Sequence, residues 1–183
     1  YGYSGDIQID NLPTLPAGGT YKYGQTVAVA DKATPPAGYT FTGWYRGTAD
    51  NPVEGTFTMP AYDINLLGYF TAGSGTEYMV EHYLMGTDGA YEEDPASEET
   101  FTGTTGNIVS AQPLTTFDGF TYNATQSEAT ASGTIAGDGS LVLKLYYDRN
   151  KHKVTYEYEG NTPSNADEAP SEETYYYNAR VTV

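Results

Sequence analysis

The chain offers few side chains that could act as a catalytic base. It has two histidines, His82 and His152, and no cysteine. A Ser or Thr nucleophile needs a positioned base beside it. His82 lies in the middle of an alternating stretch and His152 lies between two lysines, so both are predicted to be structural or surface residues. The sequence therefore predicts a protein that is not an enzyme and that uses no cofactor.

Carboxylates are numerous, and most of them lie in polar segments without periodicity. Calcium is bound by several carboxylate and carbonyl oxygens, which makes Asp88, Glu92, Glu93 and Asp94 the candidate ligands. The segment lacks the alternating Asp/Asn spacing of a calcium-binding loop. Solvated charge is the preferred interpretation. The sequence therefore predicts no metal site, and these four residues are the weak calcium candidates.

Aromatic residues give the more promising ligand hypothesis, because 19 of the 183 residues are tyrosine. Amphipathic rings can stack on sugars or pack at a protein interface. The candidate ligand-binding residues are Tyr45, Tyr175, Tyr176 and Tyr177, and Trp44 is considered with them. The alternative is that the rings fill cores that have little Ile and Leu, which is the preferred interpretation for Trp44.

The charge balance excludes one class of partner. A formal net charge of −16 argues against binding to nucleic acid, whose phosphates require Lys and Arg. Half of the eight basic residues lie together at Lys144, Arg149, Lys151 and Lys153, where they could pair with acidic loops. No apolar run approaches the length of a membrane span.

The elements that must position these residues are short strands. Between residues 140 and 160, Leu141, Leu143, Leu145 and Tyr147 alternate on one side, as in a half-buried strand. A polar break at residues 148–151 precedes a second alternation through Val154, Tyr156 and Tyr158. Residues 137–139 are predicted to form a hairpin turn into the first of these strands, and Gly43 is predicted to host a bulge. The fold class is predicted as all-β, extending to α+β.

The end of the chain repeats its beginning. Tyr156 to Gly160 resembles Tyr1 to Gly5, and Tyr175 to Val183 aligns with Tyr21 to Val29. Internal similarity at a fixed period, here roughly 155 residues, indicates an array of repeats. Residues 74–76 have linker composition. The predicted domains are 1–73, the linker 74–76, 77–150, and 151–183 as the opening strands of a further copy of the first.

Two segments resemble known families. GYTFTGWY, followed by GTFTMPAYDINLLGYFTA, resembles the Listeria-Bacteroides repeat of the internalin B type, over roughly residues 1–73. Residues 77–150, with YMVEHYL, the Phe117–Phe120 segment and LVLKLYY, resemble the mucin-binding-protein-like repeats of Gram-positive surface proteins. The resemblance implies two small β-grasp-like modules in tandem. It also implies a secreted, extracellular protein of the bacterial cell surface and cell wall.

Two functions remain open at this point. The first is an adhesin stalk or spacer, whose partners are neighbouring repeats of the same protein. The second is a direct adhesin that binds host glycan or host protein through exposed aromatics and acidic loops. The lone tail, residues 151–183, cannot bury enough surface to offset its ordering entropy. It is therefore predicted to pair with a sheet edge, in its own chain or by strand exchange between copies.

Overall fold

The chain folds into short strands, as given by a computed structural model that describes residues 1–4 and 12–182. No helix occurs among those residues, so the all-β prediction is confirmed and its α+β extension has no counterpart there. The strands are β1 (Gly2–Tyr3), β2 (Thr26–Ala28), β3 (Tyr39–Arg46), β4 (Pro52–Val53), β5 (Thr56–Thr58), β6 (Leu66–Ala72), β7 (Thr76–Leu84), β8 (Ser97–Gly103), β9 (Ile108–Ser110), β10 (Phe120–Tyr122), β11 (Ser132–Thr134), β12 (Val142–Arg149), β13 (Lys151–Val154) and β14 (Glu173–Tyr176).

The strands are distributed over two compact units. The first unit comprises residues 1–78, 101–109 and 134–141. The second unit comprises residues 79–100, 110–133 and 142–183. Each unit therefore combines segments that are distant in sequence.

The first unit is built on a four-stranded sheet with the order β1-β6-β3-β4. Strand β1 runs parallel to β6, and β3 runs antiparallel to β6. The register of the second pair shifts between Phe41 and Gly43, which confirms the predicted bulge. Gly43 has a φ of 149°, a backbone conformation that favours glycine. The core contains Phe41, Trp44, Leu66 and Phe70.

A second, two-stranded sheet in the first unit pairs β2 with β5 in antiparallel fashion. Val27 lies opposite Phe57, and the backbone N–H of Val29 donates to the carbonyl of Gly55 at 2.8 Å. Val27 is only 5% exposed, because alternate residues of a strand share one face and this one faces the interior.

The second unit is built on a four-stranded sheet with the order β10-β12-β7-β8. Strands β7 and β12 are parallel, in a register that runs from Val142 opposite Met79 to Tyr147 opposite Leu84. Leu143, Leu145 and Tyr147 are buried as the alternation predicted. Tyr146 on the other face is also buried and stacks on Tyr83, so β12 is covered on both faces rather than half-buried.

Two details of the predicted connections are wrong. Strand β11 pairs with β9 and not with β12, so residues 137–139 do not close a hairpin between β11 and β12. The predicted four-residue break is shorter, since only Asn150 separates β12 from β13. The hairpin error has a physical cause: β12 is a central strand whose two neighbours, β7 and β10, are not the strand that precedes it in sequence.

The tail, residues 151–183, forms its own two-stranded sheet. Strands β13 and β14 are antiparallel, with Lys151 opposite Tyr176 and Val154 opposite Glu173. The predicted strand through Tyr156 and Tyr158 is absent, and residues 155–172 connect the two strands without a strand of their own. In the described residues, the tail strands therefore pair with each other and not with the edge of a larger sheet. Exchange between copies stays a prediction.

Candidate functional site

His82 belongs to a buried network between the two parallel strands of the second unit. Its Nδ1 lies 2.9 Å from the hydroxyl of Tyr147, and its Nε2 lies 3.3 Å from a carboxylate oxygen of Glu99. The hydroxyl of Tyr147 also accepts the backbone N–H of Leu114 at 2.8 Å. Both ring nitrogens of His82 therefore have a polar partner, and the contact with Tyr147 connects β7 to β12.

Two other tyrosines of the second unit have raised pKa values. The hydrogen bond that Tyr83 donates to Glu81, 2.6 Å long, together with burial, raises the pKa of Tyr83 to about 12. Burial, together with a short hydrogen bond to Asp148, raises the pKa of Tyr91 to about 12. Both phenols therefore remain protonated donors at neutral pH, and neither could serve as a base there.

The predicted aromatic site falls on buried or half-buried residues. Tyr45 is 9% exposed and packs edge-on against Tyr69. Trp44 is 3% exposed, Tyr3 stacks on its ring, and its indole N–H donates to the carbonyl of Asp31 at 3.2 Å. The faces of these rings are used in packing, as the alternative interpretation of Trp44 expected.

A cleft of about 380 Å³ lies beside Trp44 and Tyr45 in the first unit. Polar side chains on its wall come from Asp31, Lys32, Thr42 and Glu54. The two aromatic residues are too deeply buried to offer a ring face for stacking. Apolar side chains of Val29, Pro52 and Val53 complete the wall of the cleft.

Tyr175, Tyr176 and Tyr177 are half-buried in the second unit. Tyr176 and Tyr177 approach two glycines there. A Cβ placed on Gly119 would lie 2.2 Å from the Tyr177 ring, and one placed on Gly89 would lie 3.0 Å from the Tyr176 hydroxyl. Glycine at residue 119 therefore allows the Tyr177 ring to pack directly on the backbone.

Arg149 links the tail to strands of the second unit near Tyr177. Its Nε donates to the carbonyl of Met85 at 2.8 Å, and its Nη1 donates to the carbonyl of Tyr177 at 3.1 Å. The guanidinium lies 4.6 Å from the centre of the Phe120 ring, within the range of a cation–π interaction. The backbone N–H of Tyr177 donates to Asn150 at 2.7 Å. We call Arg149, Asn150, Tyr177, Gly119 and Phe120 the tail anchor.

The other basic residues of the predicted patch have mixed partners. Lys144 lies 3.6 Å from Glu81 and Lys153 lies 2.6 Å from Glu172, which are pairings with acidic residues of the expected kind. Lys151 lies over the ring of Tyr176 at 4.5 Å. Arg149 was expected to pair with acidic loops, but it contacts two backbone carbonyls and the Phe120 ring. The sequence analysis did not predict these contacts. Every residue carries a backbone carbonyl, so the sequence contains no signal that identifies the carbonyls bound by Arg149.

The candidate calcium ligands are exposed side chains. The Oδ1 of Asp88 accepts the backbone N–H of Ala90 at 3.0 Å, which closes a turn. Across residues 1–4 and 12–182, no three His, Cys, Asp or Glu side chains come together in a way that could hold a metal ion. Asp88, Glu92, Glu93 and Asp94 thus do not form such a group with one another.

The comparison with protein families bears on the first unit. A family model described as the divergent InlB B-repeat domain matches residues 12–74. This segment is InlB-like. The resemblance predicted for residues 1–73 is confirmed to that extent, while the mucin-binding-like resemblance of residues 77–150 stays a prediction. No curated protein and no solved structure matches the chain.

InlB B-repeat domains occur in bacterial surface proteins, and a repeat segment is consistent with that setting. Among the residues that the structure describes, none forms a helix long and apolar enough to cross a membrane.

Proposed function

We propose that the chain is a non-enzymatic repeat segment of a bacterial cell-surface protein and that it acts as a stalk or spacer that withstands tension. The extracellular, cell-wall location is part of the same proposal. Its support is the InlB-like segment at residues 12–74 and the way in which the first and last strands of each predicted module are paired.

The observation that carries the proposal is the parallel pairing of terminal strands. In residues 1–73 the first strand, β1, lies parallel beside the last strand, β6. In residues 77–150 the first strand, β7, lies parallel beside the last strand, β12. In both cases the chain enters one strand at one end of the sheet and leaves its neighbour at the opposite end.

This arrangement determines how tension acts on the hydrogen bonds. Parallel strands have evenly spaced bonds between them, and pulling on the two chain ends slides one strand along the other. All the bonds of the pair then bear the force together. In an antiparallel hairpin both ends leave at the same edge, so the bonds break one after another at lower force. The longer register of β7 with β12 predicts that residues 77–150 resist most.

Single-molecule pulling with two pairs of attachment points tests the proposal. The chain has no cysteine, so introduced cysteines give unique handles. Glu77→Cys with Lys151→Cys applies force along β7 and β12. Asp118→Cys with Lys151→Cys instead peels β10 from β12, because these strands are antiparallel and Phe120 lies opposite Arg149. All three positions are exposed.

We expect a rupture force several-fold higher for the pair at 77 and 151 than for the pair at 118 and 151. The two variants share one attachment point but load different strand pairs, with six paired residues in β7 and β12 and three in β10 and β12. A several-fold difference exceeds the twofold ratio of paired residues and therefore reports the direction of force. Equal rupture forces, or extension without a force peak in the first geometry, would remove the basis for a stalk under tension.

A direct adhesin is the second candidate, and exposed tyrosines favour it. Tyr23 is 80% exposed and Tyr62 is 63% exposed in the first unit, whereas the sequence-predicted candidate Tyr45 is buried. Binding to a glycan array or to immobilised mucin that is lost on Tyr23→Ser or Tyr62→Ser would support this function. Retained binding in Tyr175→Ser, Tyr176→Ser and Tyr177→Ser variants would separate it from the predicted tail site.

A further inference from the structure

The tail repeats a turn of the first unit in backbone as well as in sequence. In the first unit the N–H of Gln25 donates to the carbonyl of Lys22 at 3.0 Å, and Gly24 has a φ of 79°. In the tail the N–H of Ala179 donates to the carbonyl of Tyr176 at 2.9 Å, and Asn178 has a φ of 57°. The aligned residues thus form the same turn.

The backbone conformation of Asn178 supports the alignment of the two turns. Among the described residues it is the single non-glycine residue with a positive φ, and asparagine tolerates that conformation better than most residues. It stands where the first copy has glycine. A backbone constraint of this kind is independent of the tyrosine similarity from which the repeat was inferred.

The segments after the two turns differ in structure. After the first turn, Thr26–Ala28 forms β2, whose Val27 is 5% exposed and lies opposite Phe57 of β5. After the second turn, residues 180–182 are in no strand, and Val181 is 36% exposed. Val181 occupies the position of Val27 in the alignment but lacks the covering strand.

We infer that residues 180–182 are a binding edge for a strand with the chemistry of Thr56–Phe57–Thr58, supplied by a second copy of residues 30–73. The inference rests on the proposed repeat function, because the partner of the tail is then a neighbouring copy of the repeat. Val181 would lie opposite the copied Phe57, and the turn that begins at Tyr176 would set the register.

The contacts of the first unit give the expected pattern of bonds. There the N–H of Met59 donates to the carbonyl of Gln25 at 2.8 Å, and the N–H of Gly24 donates to the carbonyl of Met59 at 2.9 Å. Asn178 and Ala179 hold the equivalent positions in the tail, and the tail anchor already fixes the preceding residue, Tyr177. The turn that precedes the edge is therefore formed before a partner arrives, which lowers the entropic cost of adding a strand.

An extended chain tests the inference: residues 1–183 followed directly by a second copy of residues 30–73. This junction respects the alignment of Val183 with Val29. Hydrogen exchange should show the amide of Val181 protected by about tenfold or more relative to the 183-residue chain, since bonded strand amides exchange only through opening. The second tryptophan, a copy of Trp44, should emit at short wavelength like a buried indole.

A matched pair of substitutions separates specific pairing from general collapse. In β2 the valine is buried while Thr26 and Ala28 are exposed. Val181→Asp in the extended chain should therefore abolish the protection and the fluorescence shift, and Thr182→Asp should leave both. Both positions are exposed in the 183-residue chain, so neither variant should disturb the units already folded.

The inference is overturned if the added residues leave the Val181 amide as exchangeable as before, or if the two aspartate variants behave alike. The pulling experiment on the stalk hypothesis uses the 183-residue chain without the extension. A low rupture force in the pulling experiment would contradict the stalk function, whereas an unprotected Val181 amide in the extended chain would contradict the binding edge.

Discussion

At the scale of single residues, Gly119 decides whether the tail can pack on the rest of the second unit. Its φ is 79°, and an added Cβ would lie 2.2 Å from the Tyr177 ring. Gly119→Ala should therefore displace the ring and weaken the hydrogen bond from the Tyr177 N–H to Asn150. We expect the Tyr177 amide to exchange faster by about tenfold or more, while the buried strands β7 and β12 keep their protection.

Gly160→Ala is the matched control for that substitution. Gly160 has a φ of 88°, and nothing lies within 4 Å of the position of its Cβ. Both variants carry the strain of a left-handed alanine, about 1–2 kcal/mol, but only Gly119→Ala also meets the tyrosine. Equal effects of the two substitutions on the Tyr177 amide would show that the close packing at Gly119 does not hold the tail.

At the scale of elements, the pair β7 and β12 should lose stability in alkaline solution. The pKa of Tyr83 on β7 is raised from 10.0 to about 12. Below pH 10 its phenol is protonated in both the folded and the unfolded chain. Between pH 10 and 12 the unfolded chain releases this proton while the folded chain keeps it, so the free energy of unfolding falls as pH rises, by up to about 1.4 kcal/mol per pH unit.

Urea unfolding at several pH values measures this effect. In Tyr83→Phe the fall between pH 10 and 12 should be shallower than in the unsubstituted chain, because one of the titrating phenols is gone. Unfolding at pH 7 provides the reference for the hydrogen bond to Glu81 that the variant also loses. Parallel curves for the two chains would contradict the proposed role of the Tyr83 phenol.

The same elements show what the sequence could reveal. Alternation identified one buried face of β12, because alternate residues of a strand share a face, but it did not predict that Tyr146 on the other face is buried too. A glycine before Trp44 identified the bulge in β3. The pairing of β12 with β7 was missed, since partners so far apart in sequence leave no local signal. The tail anchor was missed for a related reason: Arg149 bonds to backbone carbonyls, which every residue type carries.

The structure places one predicted aromatic ligand residue, Tyr45, in the interior, while the ligand role of the predicted tyrosines stays a prediction. Tyr45 was a candidate because of its residue type, whereas Trp44 was expected to fill the core. That core combines the rings of Phe41, Trp44 and Phe70 with one aliphatic residue, Leu66. The two most exposed rings of the described part of the first unit, Tyr23 and Tyr62, were not distinguished by any pattern. Burial of an aromatic residue depends on which strands meet over it, and that is a property of the tertiary fold.

At the scale of the whole molecule, the net charge of −16 should make stability depend on salt. Like charges repel in the compact state, and raising the salt from 0.01 M to 0.1 M shortens the screening length from about 30 Å to about 10 Å. The ion pairs of Lys144 and Lys153 are partly exposed and contribute only about 0–1 kcal/mol each, so their screening costs little. The melting temperature should rise by a few degrees as NaCl is added.

A comparison of salts at equal ionic strength extends this experiment to the acidic loop. If screening alone acts, CaCl2 and MgCl2 should raise the melting temperature equally, and Glu92→Gln with Glu93→Gln should reduce the response to both salts. An additional rise that is specific to calcium, and that these substitutions remove, would instead identify a binding site at the candidate ligands. A melting temperature that falls with NaCl would show that attractive pairs, and not repulsion, dominate the electrostatics of the chain.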